Sequence, residues 1–273
     1  MLDLIVSRAP VFMLVFARCF ALIMSLPLFS SRSVSRVAKM ALGMYMAYFI
    51  FPQVSLTDGT FAAYAPFITP EGNFNADFLL LVAGEALIGI IMGFFIQIIF
   101  AAFSTAGQFF AFQMGLSASE VYDAMSQVEN PLMGQYFNLI AMLIFLDNRW
   151  FQRLFLGALT SSFSAINAFS VATHTDTLLT FMLSSLTLLF RDSLVIALPL
   201  MGTLFLINVC MGILGKAAPQ MNLLSEGFPI LMLTAFFLIT TLMPQLCEFF
   251  TESFAQGFRQ VERLLIELGG GGR

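Results

Sequence analysis

The sequence predicts an all-α membrane protein of bent helical hairpins, and three observations carry that prediction. Hydrophobic residues make up 59% of the chain and charged residues 10%, against about 25% charged in soluble domains. Residues 78–103, FLLLVAGEALIGIIMGFFIQIIFAAF, form an apolar run longer than the roughly 20 residues a spanning helix needs. That run carries Glu85, Gly89, Gly93 and Gln97 at four-residue spacing, so one helical face is small and polar. A carboxylate within such a segment costs about 2.5 to 3.5 kcal/mol on insertion scales, so Glu85 must face protein or water. Gly89 and Gly93 let another backbone approach closely, which suits subunit packing.

The apolar segments follow one another at 9–29, 37–56, 78–116, 132–146, 150–171, 177–190, 193–214 and 223–247. The first runs on through Arg18 to Phe29 and lacks the cleavage pattern of a secretory leader, so it is expected to be a retained helix. Segments 132–146 and 177–190 are too short to span, whereas 78–116 is longer than one span needs. Arg191 and Asp192 separate 177–190 from 193–214, and Pro27, Pro52, Pro199, Pro229 and Pro244 fall within or beside segments, which suits bent helices packed on protein. The one clear basic connector holds Arg32, Arg36 and Lys39, and the positive-inside rule puts it in the cytoplasm. The next two connectors are acidic, with Asp58, Glu71 and Asp77 and then Glu120, Asp123 and Glu129, so the rule fixes nothing beyond the first hairpin. Residues 248–268 place Phe250, Phe254, Phe258, Val261, Leu265 and Leu268 at helical steps among mixed charges. This amphipathic helix reads as a docking or membrane-surface element, followed by a flexible tail to residue 273.

A net charge of −4 with no basic block excludes nucleic acid and an electrostatic anchor, leaving proteins and membrane lipid as partners. Cys19, Cys210 and Cys247 stand singly in apolar segments, and His174 lies in a polar connector, so neither metal nor disulfide nor cofactor is expected. No nucleophile elbow, HExxH or phosphate loop is present, so the enzyme reading has little support.

Three groups of residues invite function. Arg18 sits about ten residues, roughly 15 Å, from its nearest helix end, too far to snorkel, so it calls for a buried ion pair or a water-lined site. Sequence does not choose its partner, although Glu85 is a candidate. Asn208, Gly212 and Gly215 mark a second small, polar helix face, for which helix packing is the ordinary reading. Gly107, Gln108, Phe109, Phe110, Phe112, Gln113, Met114 and Gly115 bracket an aromatic and Met cluster with glycines. Either this is a helix end packed on its neighbours, or it is a movable apolar barrier that closes a pore by dewetting.

The order of motifs resembles the FliR family, the flagellar type III export-gate subunit with close virulence-secretion counterparts. The resemblance spans nearly the whole chain: ARCFALIMSLPLFSSRSVSRVAKMAL at the start, EALIGIIMGF, AGQFFAFQMGLSAS, ENP ending at Pro131, ALTSSF at 158–163 and ILGKAAPQMNLLSEGFPILM at 213–232. The last block, with Pro219, Gln220, Met221 and Asn222, is the most specific. The resemblance implies a non-enzymatic subunit of a channel for unfolded export substrates in the bacterial inner membrane, within the flagellar basal body. It implies FliP, FliQ and FlhB homologues as partners. It also implies one polytopic domain, 1–273, with a FliP-like portion over 1–190, a FliQ-like hairpin over 191–247 and the amphipathic helix and tail over 248–273. The family's channel plug maps onto 107–131, including Glu129 and Pro131, and makes the movable barrier the first choice there. An Asp-Pro pair expected near the plug is Asn130-Pro131 here, so the loop's charge falls to Glu129. The competing class is a secondary transporter with Glu85 and Arg18 as a coupled midplane site, which predicts an internal repeat that the sequence does not display.

Overall fold

The computed structural model describes residues 8–30, 34–54, 59–68, 75–116, 132–218 and 223–269. Among the described residues the regular elements are all helical, and three helices are long and apolar enough to cross a membrane. In chain order the elements are α1 (Ala9–Ser25), α2 (Pro27–Ser30), α3 (Arg36–Ile50), two 3₁₀ segments (Phe51–Gln53 and Thr60–Phe67), α4 (Ala76–Gln113) and α5 (Leu132–Asp147). Then come α6 (150–165), α7 (Ala168–Thr173), α8 (Thr175–Ala217) and α9 (Leu223–Leu268). The middle of α6, Arg153–Leu159, is π-helical. The chain is therefore an all-α membrane protein.

Local chemistry sets the ends of these helices. Pro10 lies in the first turn of α1, where a missing N–H is harmless. Ser35 caps α3 by accepting from the Ala38 N–H at 3.2 Å. Gly115 ends α4 with φ +77°, and the Leu116 N–H reaches back to the Ala111 carbonyl at 3.1 Å, a Schellman closure that needs a residue tolerant of the left-handed region.

Two features of the sequence pattern come out differently. Segments 177–190 and 193–214 form one helix, α8, because Arg191 and Asp192 are no helix breakers: they pair at 2.9 Å and the backbone runs on. Likewise 223–247 and 248–268 belong to the single helix α9, with Pro229 and Pro244 inside it. Threonines supply local partners for backbone carbonyls along these proline-bearing helices. Thr203 donates to the Pro199 carbonyl and Thr240 to that of Phe236, both at 2.8 Å.

The chain divides into two compact units. The first comprises 1–98, 149–185 and 255–273. Its core holds Leu14, Val15, Leu22, Phe95 and Ile96, and α1 packs on α3, where Gly43 lies against Phe16 and Phe20. Trp150 stacks on Phe258 at 4.9 Å. The second comprises 99–148 and 186–254. Its core is aromatic: Phe103 meets Phe250 at 4.0 Å, while Phe100 and Phe145 lie 5.1 and 5.2 Å from Phe254. Edge-to-face and tilted ring pairs of this kind add to their burial. The α9 stripe at Phe250, Phe254, Phe258, Val261, Leu265 and Leu268 is thus buried by the chain itself.

Candidate functional site

Arg18 and Glu85 are both fully buried in the first unit, and Arg18 Nε donates to Glu85 Oε2 at 2.7 Å. They meet because Gly89 and Gly93 admit α1 against α4. A Cβ on Gly89 would collide with the Arg18 carbonyl and lie 3.0 Å from the Leu22 nitrogen; one on Gly93 would strike Ser25. The backbone that the small stripe admits is therefore that of the chain's own first helix.

The guanidinium has further partners. Nη1 donates to Ser162 Oγ at 3.0 Å and Nη2 to the Ile166 carbonyl at 3.1 Å, and the Phe163 ring centroid lies 4.2 Å from Cζ. The second carboxylate oxygen, Glu85 Oε1, accepts the Tyr64 hydroxyl at 2.5 Å. That hydroxyl in turn accepts the Ala168 N–H at 2.5 Å. Burial, reinforced by the Glu85 charge, pushes the Tyr64 phenol above its usual range and keeps it a donor. Around the cluster, Thr60 donates to the Phe163 carbonyl at 2.5 Å and Asn167 Nδ2 to the Thr60 carbonyl at 3.0 Å. Charge is balanced and each oxygen of Glu85 accepts a hydrogen bond, which is the condition under which a buried ion pair is tolerated.

Gln97 stands apart from this cluster and is exposed. Steps of four residues advance about 400°, so the stripe drifts about 40° each time and is some 120° off by the fourth position.

The second unit holds the other predicted positions. Gly107 faces α5 so closely that a Cβ there would lie 2.6 Å from the Met133 carbonyl oxygen and 2.8 Å from the Gly134 Cα. Phe110 and Met114 are fully buried, Phe109 and Gln113 half-buried, and Gln108 and Gly115 exposed. Phe112 is 72% exposed. Asn208 Nδ2 donates to the Gln113 carbonyl at 3.3 Å. Gly212 has open space where a Cβ would point, and Gly215 is half-buried. Glu129, Pro131, Pro219, Gln220, Met221 and Asn222 lie outside the described residues. Among the described residues no group of three or more His, Cys, Asp or Glu could hold a metal ion.

Tyr64, Ser162, the Ile166 carbonyl and Asn167 were not singled out from sequence. Ser162 lies in ALTSSF, a polar interruption of an apolar segment, and Tyr64 is the one hydroxyl-bearing ring in FAAYAPF. Those are the only local signals of their role.

Membrane-length helices and a buried charge cluster satisfied within the chain define a polytopic helical membrane protein. Residues 9–257 match the family model described as bacterial export proteins, family 1. The chain belongs to this family, that of the FliR proteins. It is 30% identical over 251 residues to the flagellar biosynthetic protein FliR of Escherichia coli K12, covering 92% of this chain and 91% of that one. It is 26% identical over 267 residues to the FliR of Bacillus subtilis 168, covering 97% of this chain and 98% of that one. The surface presentation of antigens protein SpaR of Shigella sonnei is 29% identical over 160 residues, 58% of this chain and 60% of that one.

Proposed function

We propose that this chain is a non-enzymatic subunit of the flagellar type III protein export gate, forming and gating a channel for unfolded export substrates. The observation that carries the reading is similarity to flagellar FliR proteins over more than nine-tenths of both chains. The flagellar system is favoured over virulence secretion because the flagellar FliR proteins of Escherichia coli and Bacillus subtilis match over more than nine-tenths of both chains. In this reading the protein resides in the bacterial inner membrane within the flagellar basal body and assembles with FliP, FliQ and FlhB homologues. Residues 1–190 serve as a FliP-like portion, 191–247 as a FliQ-like hairpin, and 107–131 as the channel plug.

The transporter reading loses ground because all three guanidinium nitrogens of Arg18 and both carboxylate oxygens of Glu85 are engaged by the chain's own groups. A midplane substrate site needs polar groups that are free to take a substrate or a coupling ion. The discriminating experiment is purification of the native complex from membranes with a tag on this chain. An export-gate subunit is expected to bring small hydrophobic membrane proteins in fixed ratio. A chain recovered alone or as a homo-oligomer would overturn the assignment.

A further inference from the structure

The helical path from α6 to α7 breaks at Ile166 and Asn167, both in extended conformation with φ −135° and −131°. Such a break frees carbonyls at the end of one helix and N–H groups at the start of the next, and buried backbone groups of this kind need partners. Ile166 is itself buried. Side chains from distant parts of the chain meet these needs one by one. Thr60 takes the Phe163 carbonyl, Arg18 takes the Ile166 carbonyl, and the Tyr64 hydroxyl takes the Ala168 N–H. Asn167 adds a local cap by accepting the Ser170 N–H at 2.9 Å. Arg18 also grips the helix one turn earlier through Ser162 Oγ, whose own proton goes to the Leu159 carbonyl at 2.6 Å.

We propose that the buried cluster of Arg18, Glu85 and Tyr64 is a bend lock: it supplies the partners for the backbone groups freed at 166–167 and so holds α6 and α7 in their bent, docked arrangement. Glu85 is the hub. One of its oxygens fixes the guanidinium and the other fixes the phenol, so the two side chains that reach the break are oriented by a single carboxylate. Arg18 adds a positive charge beside the C-terminal end of α6, where helix carbonyls carry partial negative charge. Without the lock, the buried Ile166 carbonyl and the half-buried Ala168 N–H would each lose a partner. The segment would then open locally or continue as helix through 166–167.

The role belongs to the chain's own folding and stands apart from export, so its test does not depend on the export-gate assignment. The measurement is amide hydrogen exchange of the full chain purified in detergent, comparing wild type with Tyr64→Phe, which removes one oxygen and keeps the ring. Exchange in the peptide covering 164–172 is expected to rise about five- to tenfold, as the Ala168 N–H loses its partner, while peptides from 9–25 and 88–98 stay at wild-type rates. Unchanged exchange at 164–172 would overturn the lock, because Asn167 alone would then suffice. A rise spread evenly over the first unit would also overturn it, because the hydroxyl would then support general packing. The second variant, Arg18→Met with Glu85→Leu, leaves no unpaired charge. Its exchange at 164–172 should rise beyond that of Tyr64→Phe, and wild-type protection there would equally overturn the proposal.

Discussion

Arg18 tolerates complete burial because Nε, Nη1 and Nη2 each donate to a fixed oxygen, one on α4 and two at the end of α6. A buried pair is worth little relative to a well-packed apolar substitute, but removing one partner leaves the other charge stranded at about 3 to 5 kcal/mol. Arg18→Met is therefore expected to lower stability by about that amount and Glu85→Gln by less, since its one amide oxygen can still accept from Arg18 although the NH2 group in place of the other oxygen cannot accept from Tyr64. Arg18→Met combined with Glu85→Leu should recover most of the loss from Arg18→Met. Denaturation midpoints of the detergent-solubilised chain measure this, and a double variant no more stable than Arg18→Met alone would refute the account. Arg18 and Glu85 were conspicuous in the sequence because charges in apolar runs are rare. Their surroundings were not legible: Ser162 and Ile166 lie 144 and 148 residues from Arg18, and serine or a main-chain carbonyl carries no sign of its partner.

Whole elements were legible where period or composition acts alone, and less so where packing decides. The long apolar run at 78–116 became α4, and 132–146 became α5 almost unchanged. Four-residue spacing grouped Gln97 with Glu85, whereas the turn of a real helix carries it off the packed face. The C-terminal stripe was equally legible as amphipathic, yet amphipathicity names a buried face without naming what buries it. Here the cover is the chain's own: Phe250 and Phe254 join the aromatic core of the second unit, while Phe258, Val261, Leu264 and Leu265 are buried within the first. Deleting 249–273 should therefore damage the fold itself in addition to any association it supports. Phe→Ala changes in such cores cost about 3 to 5 kcal/mol each, so losing several large side chains exceeds the total stability of an ordinary domain. Trypsin resistance of the truncated chain in membranes checks this. Wild-type resistance would return the helix to the role of a detachable docking element.

At the scale of the whole molecule, the long helices are unequally covered. In the most apolar window of α4, 61% of residues are buried, against 22% in those of α8 and α9. Leu183, Leu198, Phe205, Ile213, Leu233 and Phe237 stand exposed on them, so these helices require lipid or other apolar subunits to cover them. This demand agrees with an assembly subunit, and faces covered by other subunits would obey no rule about loops flanking lipid. The same scale decides what the plug reading must mean. Phe110 and Met114 are core residues of the second unit, whereas Phe112 is turned outward at the end of α4 beside Gly115. A barrier that works by apolar contact must then draw on Phe112 and the following residues 117–131, with Phe110 and Met114 as its footing. Phe110→Ala is expected to lower stability by about 3 to 5 kcal/mol and to reduce assembly. Phe112→Ala, and deletion of 117–126, should leave assembly intact and raise ion conductance of the reconstituted complex. Packing alone predicts the reverse for the deletion, namely misassembly with no leak. A complex that assembles with 117–126 deleted and remains as tight to ions as wild type would remove the plug from this segment.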